Sequence, residues 1–160
     1  MTNKDYNDCV SKYSDDVYRF VVYSGMDKDS AKDIVQDAFV SLWQKHSEID
    51  VERSKSYLFS TAYNMVGSYF RHEKVVRQYA EGVVEETVTD MDRSYENKDY
   101  LYKALNNIPQ VQKSALVLKD IEGYSYKEIA EMLELTIQQV EVYIFRARVA
   151  LKKQLTKMNY

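Results

Sequence analysis

An all-α fold is predicted: two small helical domains joined by an acidic flexible linker, the second containing a helix-turn-helix. Three observations predict it. Four glycines, one proline and few alternating β-branched runs in 160 residues favour long helices over a sheet with many turns. Apolar residues recur at three- and four-residue steps through most of the chain. Ser125 with Glu128, and Thr136 with Gln139, repeat a capping-box spacing on either side of a short helix at 126–133 and a tight turn. A composition of 45% hydrophobic and 29% charged residues is that of a globular chain able to form a packed core.

The first helix is expected over 6–24, where Val10, Tyr13, Val17, Phe20 and Val21 follow the helical period and Gly25 can supply a left-handed cap. In "DKDSAKDIVQDAFVSLWQKH" Ser30 can cap a second helix, with Asp33 three residues later. Its apolar stripe is Ile34, Val35, Ala38, Phe39 and Leu42, and its opposite face carries Asp33, Gln36 and Asp37. Residues 47–56, "SEIDVERSKS", lack a helical period and read as a loop. A third helix follows, with Leu58, Ala62, Met65 and Tyr69 as candidate core stripe, completing a unit over 1–79. The segment 80–99 carries seven acids against two bases and reads as a linker, partly disordered or weakly helical. Four helical patterns make up the unit at 100–160, one opened by Pro109 and closed by Gly123.

The net charge of −3 hides a polarised chain. Residues 1–52, 53–79, 80–99 and 100–160 carry −5, +4, −5 and +3, so two basic blocks suited to phosphate alternate with two acidic ones. Cys9, the single cysteine, excludes an internal disulfide and reads as a buried or incidental thiol in a reducing compartment. The polar N-terminus, and the absence of any apolar run near the ~18 residues a membrane span needs, predict a cytoplasmic protein with no membrane span. His46 and His72 are the only histidines, and neither a glycine-rich phosphate loop nor metal-ligand spacing is present. Neither catalysis, nor a metal, nor a cofactor is expected.

Three ordered stretches resemble the extracytoplasmic-function sigma factors, two-domain subunits that direct bacterial RNA polymerase to promoters. "AKDIVQDAFVSLWQKH" (31–46) is similar to the family's polymerase-binding helix, which reads roughly A-x-D-[LI]-[VT]-Q-[ED]-x-F-x-x-[LV]-W. "YLFSTAYNMVGSYFRHEK" (57–74) resembles the segment that engages the melted minus-ten element. Residues 108–148 approximate the minus-thirty-five reader, with "GYSYKEIAEMLELT" and "IFRAR" in place. The ordered set, with the linker, covers nearly the whole chain.

The resemblance implies binding to core polymerase (β′ and β subunits), to promoter DNA as duplex and as melted single strand, and to an anti-sigma factor. The core-binding residues implied are Asp33, Gln36, Asp37, Phe39 and Trp43, the carboxylates facing a basic coiled coil of β′. Trp43 can equally be a core anchor, and the acidic trio a solvated face. For the minus-ten element they are Arg53, Lys55, Tyr57, Asn64, Arg71, His72 and Lys74, beside the rings Phe59, Tyr63, Tyr69 and Phe70, since cations track phosphates and aromatic faces stack on unpaired bases. Some of those rings must be core. The loop at 47–56 matches the segment that pockets a flipped base. In the family the linker threads the polymerase cleft. For the minus-thirty-five element the residues are Ser125, Lys127, Thr136, Gln138, Gln139, Val142, Phe145, Arg146 and Arg148.

Departures are specific. Where the family commonly reads A-R-N-L, this chain has Ala62-Tyr63-Asn64-Met65; Glu134 stands where the turn usually has glycine; and Glu141 stands where a phosphate-seeking base is usual. The last helix, with an inward seam of Val140, Ile144, Ala147, Leu151 and Leu155, keeps the frame of a reading helix but thins its polar contacts. Two other readings therefore stay open: a helix-turn-helix regulator that never joins polymerase, and a protein-interaction module with reduced DNA binding.

Overall fold

The computed structural model describes residues 1–79 and 96–158, all in helices and short connections. In order these are α1 (Asn3–Tyr23), α2 (Lys28–Gln44), α3 (Val51–Tyr79), α4 (Glu96–Asn106), α5 (Gln110–Leu116) running into a π-helical turn (Val117–Ile121), α6 (Tyr126–Leu133) and α7 (Ile137–Lys157). Most of the acidic stretch expected as linker, residues 80–95, lies outside the described residues.

α1 starts earlier than its apolar period, because its start signal is polar. The Thr2 hydroxyl accepts from the Asp5 N–H at 3.1 Å, and the Asp5 carboxylate accepts from the Thr2 N–H at 2.8 Å. It ends at Gly25, whose φ of +104° is the expected left-handed cap. α2 is capped by Asp27 and not by Ser30: the Asp27 carboxylate accepts the Ser30 N–H at 3.1 Å, placing Ser30 inside the first turn.

α3 corrects the expected loop at 47–56, since the helix already runs from Val51. Asp50 precedes it, its carbonyl accepting the Arg53 N–H at 2.9 Å, and Glu52 complements the positive end of the helix dipole. Ser54, buried and bonded to Val51 O and to Cys9 Sγ, continues the four-residue seam of Leu58, Ala62 and Val66 backwards. A buried serine carries no hydrophobic signal, so apolar periodicity misses that turn. Met65 and Tyr69, expected as core, are only half-buried, while Phe59 and Val66 are fully enclosed.

In the second unit Pro109 precedes α5 with φ −52°, as its ring dictates. The π turn closes with the Glu122 N–H donating to Val117 O at 3.0 Å, and Gly123 follows at φ +78°. Both expected capping boxes form. The Ser125 hydroxyl accepts from Glu128 N–H and that of Thr136 from Gln139 N–H, each at 3.1 Å. Glu134 between them takes the left-handed conformation at φ 56°, ψ 47°, the geometry for which related turns use glycine.

Val140, Ile144 and Ala147 form the buried seam of α7, with Leu151 and Leu155 half-buried beyond them. Phe20, Leu58 and Phe59 of the first unit and Leu118, Ile129, Met132 and Ile144 of the second are fully enclosed, each worth about 1.5–3 kcal/mol of apolar burial. The buried apolar residues of the two units are continuous, because α3 packs against α6.

Candidate functional site

Three surfaces emerge, on α2, α3 and α7. On α2, Asp33, Gln36, Asp37 and Trp43 all project outward along one side of the helix, as residues three and four apart must. Trp43 is 43% exposed, stacked on His46 at 4.3 Å between ring centroids and touched edge-on by Tyr6, so it is braced without being core. Phe39 is largely enclosed, at 7% exposure, packs edge-on against Tyr6, and turns its remaining surface to an open groove between α1 and α2. Val40, which sequence reasoning missed, is exposed on the outer face as well. Beside this face an open groove of about 640 Å³ runs between α1 and α2, lined by Tyr6, Val10, Tyr18, Val35, Gln36 and Val40 among others. Val40 stands three residues after Asp37, which was the available signal, but an apolar side chain reads as core.

On α3 the minus-ten candidates separate. Arg53, Tyr57, Asn64 and Arg71 recur at steps of four and seven residues and so lie in one row along the helix. Tyr57 is held by Ser41, hydroxyl to hydroxyl at 2.5 Å, and Arg71 donates to Ser68 at 3.1 Å. His72 and Lys74 are exposed near the end of the same helix. Lys55, two residues from both Arg53 and Tyr57, lies on another face of the helix, where its ammonium donates to Glu128 of α6 and lies 5.1 Å from the Tyr124 ring centre. That hydrogen bond holds the Glu128 carboxyl below the usual range.

The rings beside the row divide as well. Phe59 is fully buried, edge-on to Phe20 and Tyr124, and is core. Tyr63, Tyr69 and Phe70 are half-buried, and Phe70 faces the ammonium of Lys113 at 5.8 Å. Burial pulls that lysine down to about 8.

On α7 the expected readers are on the outside. Gln138, Gln139, Val142, Phe145 and Arg146 are exposed, Phe145 at 69%. With Val149 they make an exposed stripe in which Val142, Phe145 and Val149 are apolar, an unusual face for a helix in water. Ser125 and Thr136 spend their hydroxyls on caps, and Lys127 is exposed. The Arg148 guanidinium is committed to Asp120 through two hydrogen bonds of 2.7 and 3.0 Å, which push it further up. Glu141 is exposed on the same helix. Among the described residues no group of His, Cys, Asp and Glu could hold a metal ion, and no helix is long and apolar enough to cross a membrane.

The three surfaces are thus an acidic outer face on a three-helix unit, a basic aromatic-flanked helix and a capped helix-turn-helix. Residues 9–75 match the family described as Sigma-70 region 2, and residues 98–151 match Sigma-70, region 4. The ECF RNA polymerase sigma factor SigX of Bacillus subtilis is 25% identical over 154 residues, covering 89% of this chain and 79% of the relative. SigM of the same organism, also an ECF RNA polymerase sigma factor, is 26% identical over 144 residues, covering 88% of each.

Among solved structures, the sigma factor RpoE in complex with the anti-sigma factor NepR from Bartonella quintana superposes with a TM-score of 0.79 at 26% identity, over 96% of this chain and 98% of that one. CnrH in complex with the cytosolic domain of CnrY shares the fold, with a TM-score of 0.76 at 22% identity over 98% and 90% of the two chains. The chain belongs to the RNA polymerase sigma factors of the extracytoplasmic-function type, which act in transcription initiation.

Proposed function

We propose that this chain acts in the cytoplasm as a promoter-specificity subunit without chemistry of its own, and that its three surfaces divide the work. The outer face of α2 docks on core polymerase, its carboxylates pairing with basic side chains across the interface. The Arg53, Asn64, Arg71 row tracks melted minus-ten DNA. α7 enters the major groove of the minus-thirty-five duplex, where Gln138 and Gln139 suit adenine edges and Val142 and Phe145 suit thymine methyls. An anti-sigma factor is the expected regulator, since the structural relative RpoE is held by one.

The observation that carries this reading is the α2 face: Asp33, Gln36, Asp37, Val40 and Trp43 are all exposed and co-facial. A regulator that worked on DNA alone would have no use for it. Pull-down of core polymerase followed by promoter-dependent run-off transcription is the test. The wild-type chain is expected to bind core and yield a transcript of defined start. Asp33→Lys with Asp37→Lys is expected to weaken core binding on the order of 10- to 100-fold at unchanged helicity. A chain that binds upstream duplex but never core would instead be a stand-alone regulator.

A further inference from the structure

Trp43 stands in the last turn of α2 with its ring on the open side, and nothing in the helix itself fixes the side-chain torsions of a residue so placed. Two other parts of the chain fix them. His46, just past the helix end, lays its imidazole nearly parallel to the indole, with 9° between the planes and 4.3 Å between the centroids. The imidazole is itself tied down by the Trp43 carbonyl, which accepts from the His46 backbone N–H at 3.3 Å and lies 2.5 Å from Nδ1 of the ring. A carbonyl can only accept, so Nδ1 carries the hydrogen. From α1, Tyr6 meets the indole at 65° and 5.0 Å, and its hydroxyl donates to the Phe39 carbonyl at 3.0 Å, one turn back along α2.

Trp43 stays 43% exposed in spite of both contacts, so they orient the indole without covering it. A large ring that is free in solution must give up rotamer freedom when a partner seats it, and a ring already seated does not. Tyr6 also packs on Phe39, so its removal loosens the contact between α1 and α2 as well. At His46 the placing of the indole can be separated from folding, because the residue lies beyond the end of α2 and outside its buried stripe.

We propose that His46 is a positioning residue for core-polymerase binding: stacked on Trp43, it holds the indole in the orientation in which the outer face of α2 meets its partner. This rests on the reading of Trp43 as part of that docking face. The imidazole acts through the indole and needs no contact with the polymerase.

Trp43 is the only tryptophan in the chain, so selectively excited tryptophan fluorescence reports on this one ring. His46→Ala is expected to lower its anisotropy and move its emission to the red, at unchanged helicity and Tm. It is also expected to weaken binding of the full chain to core polymerase roughly two- to tenfold, the cost of seating one free side chain. His46→Phe puts a flat ring back and is expected to restore both anisotropy and affinity. In a Trp43→Ala chain, His46→Ala is expected to have no further effect on core binding, because the two residues act as one. An indole that stays rigid in His46→Ala overturns the proposal. So does an indole that loosens at unchanged affinity, or a loss of binding that is equal with and without Trp43. Trp43→Ala that binds core as the wild-type chain does overturns the reading of Trp43 as a core contact, and the proposal with it.

Discussion

The two helices assigned to DNA, α3 and α7, solve different packing problems. α7 buries one narrow seam, Val140, Ile144 and Ala147, and leaves the rest of its surface free, including a phenylalanine. α3 is gripped from two sides, by α1 and α2 within its own unit and by α6 from the other. The same residue type therefore means different things on each. Phe145 on α7 is available to a ligand, whereas Phe59 on α3 is structural and Lys55 is already paired. A helix with one buried face can be read for function from its outer face; a helix with two cannot be, until its neighbours are known.

Truncating each phenylalanine breaks or sharpens that contrast. Phe59→Ala is expected to cost about 3–5 kcal/mol in urea unfolding, the loss of a fully enclosed ring. Phe145→Ala is expected to shift stability by no more than about 0.5 kcal/mol. It should instead weaken upstream duplex binding. Replacing a contacted thymine by deoxyuracil removes one methyl, worth about 0.8 kcal/mol or roughly fourfold, and the Phe145→Ala chain is expected to be blind to that replacement. If both chains respond to it equally, the ring is not what reads the methyl.

Smaller effects are expected at the two glutamates that depart from the family pattern. Glu134→Gly removes a left-handed glutamate and is expected to stabilise by about 1 kcal/mol, visible as a rise of roughly 3 °C in Tm. Glu141→Lys is expected to tighten upstream duplex binding a few-fold at low salt and to steepen its salt dependence by about one for each further phosphate neutralised. An unchanged salt slope would place Glu141 off the DNA.

Much of the fold was legible. The capping boxes at Ser125 and Thr136, the glycine caps and the α7 seam are local signals, and the structure keeps each where it was expected. Three features were not legible, each for a physical reason. The start of α3 hides behind Ser54, polar in type but buried against Cys9 and Val51. Asp27 and Ser30 are both good caps, and only the backbone decides between them. The contact between the units joins residues about a hundred positions apart, Arg19 with Glu122 and Asp16 with Tyr124, and no local pattern announces such a pair.

For the surfaces, the acidic face of α2 followed from helical spacing alone. Phe39 is more enclosed than its place in the motif implies, because apolar residues on an amphipathic helix turn inward by default, and it meets solvent only in the groove it lines.

Fixing the two units together tests the contrast between an α3 packed on two sides and an α7 with one buried face most directly. A chain with Arg19→Cys and Glu122→Cys, bridged by a short bis-maleimide, keeps the closed arrangement, and the buried Cys9 stays out of reach of the reagent. Run-off transcription with core polymerase is the measurement. The bridged chain is expected to yield no transcript while still binding upstream duplex, and the unbridged double variant to transcribe. A bridged chain that transcribes as well as the unbridged one would contradict the account.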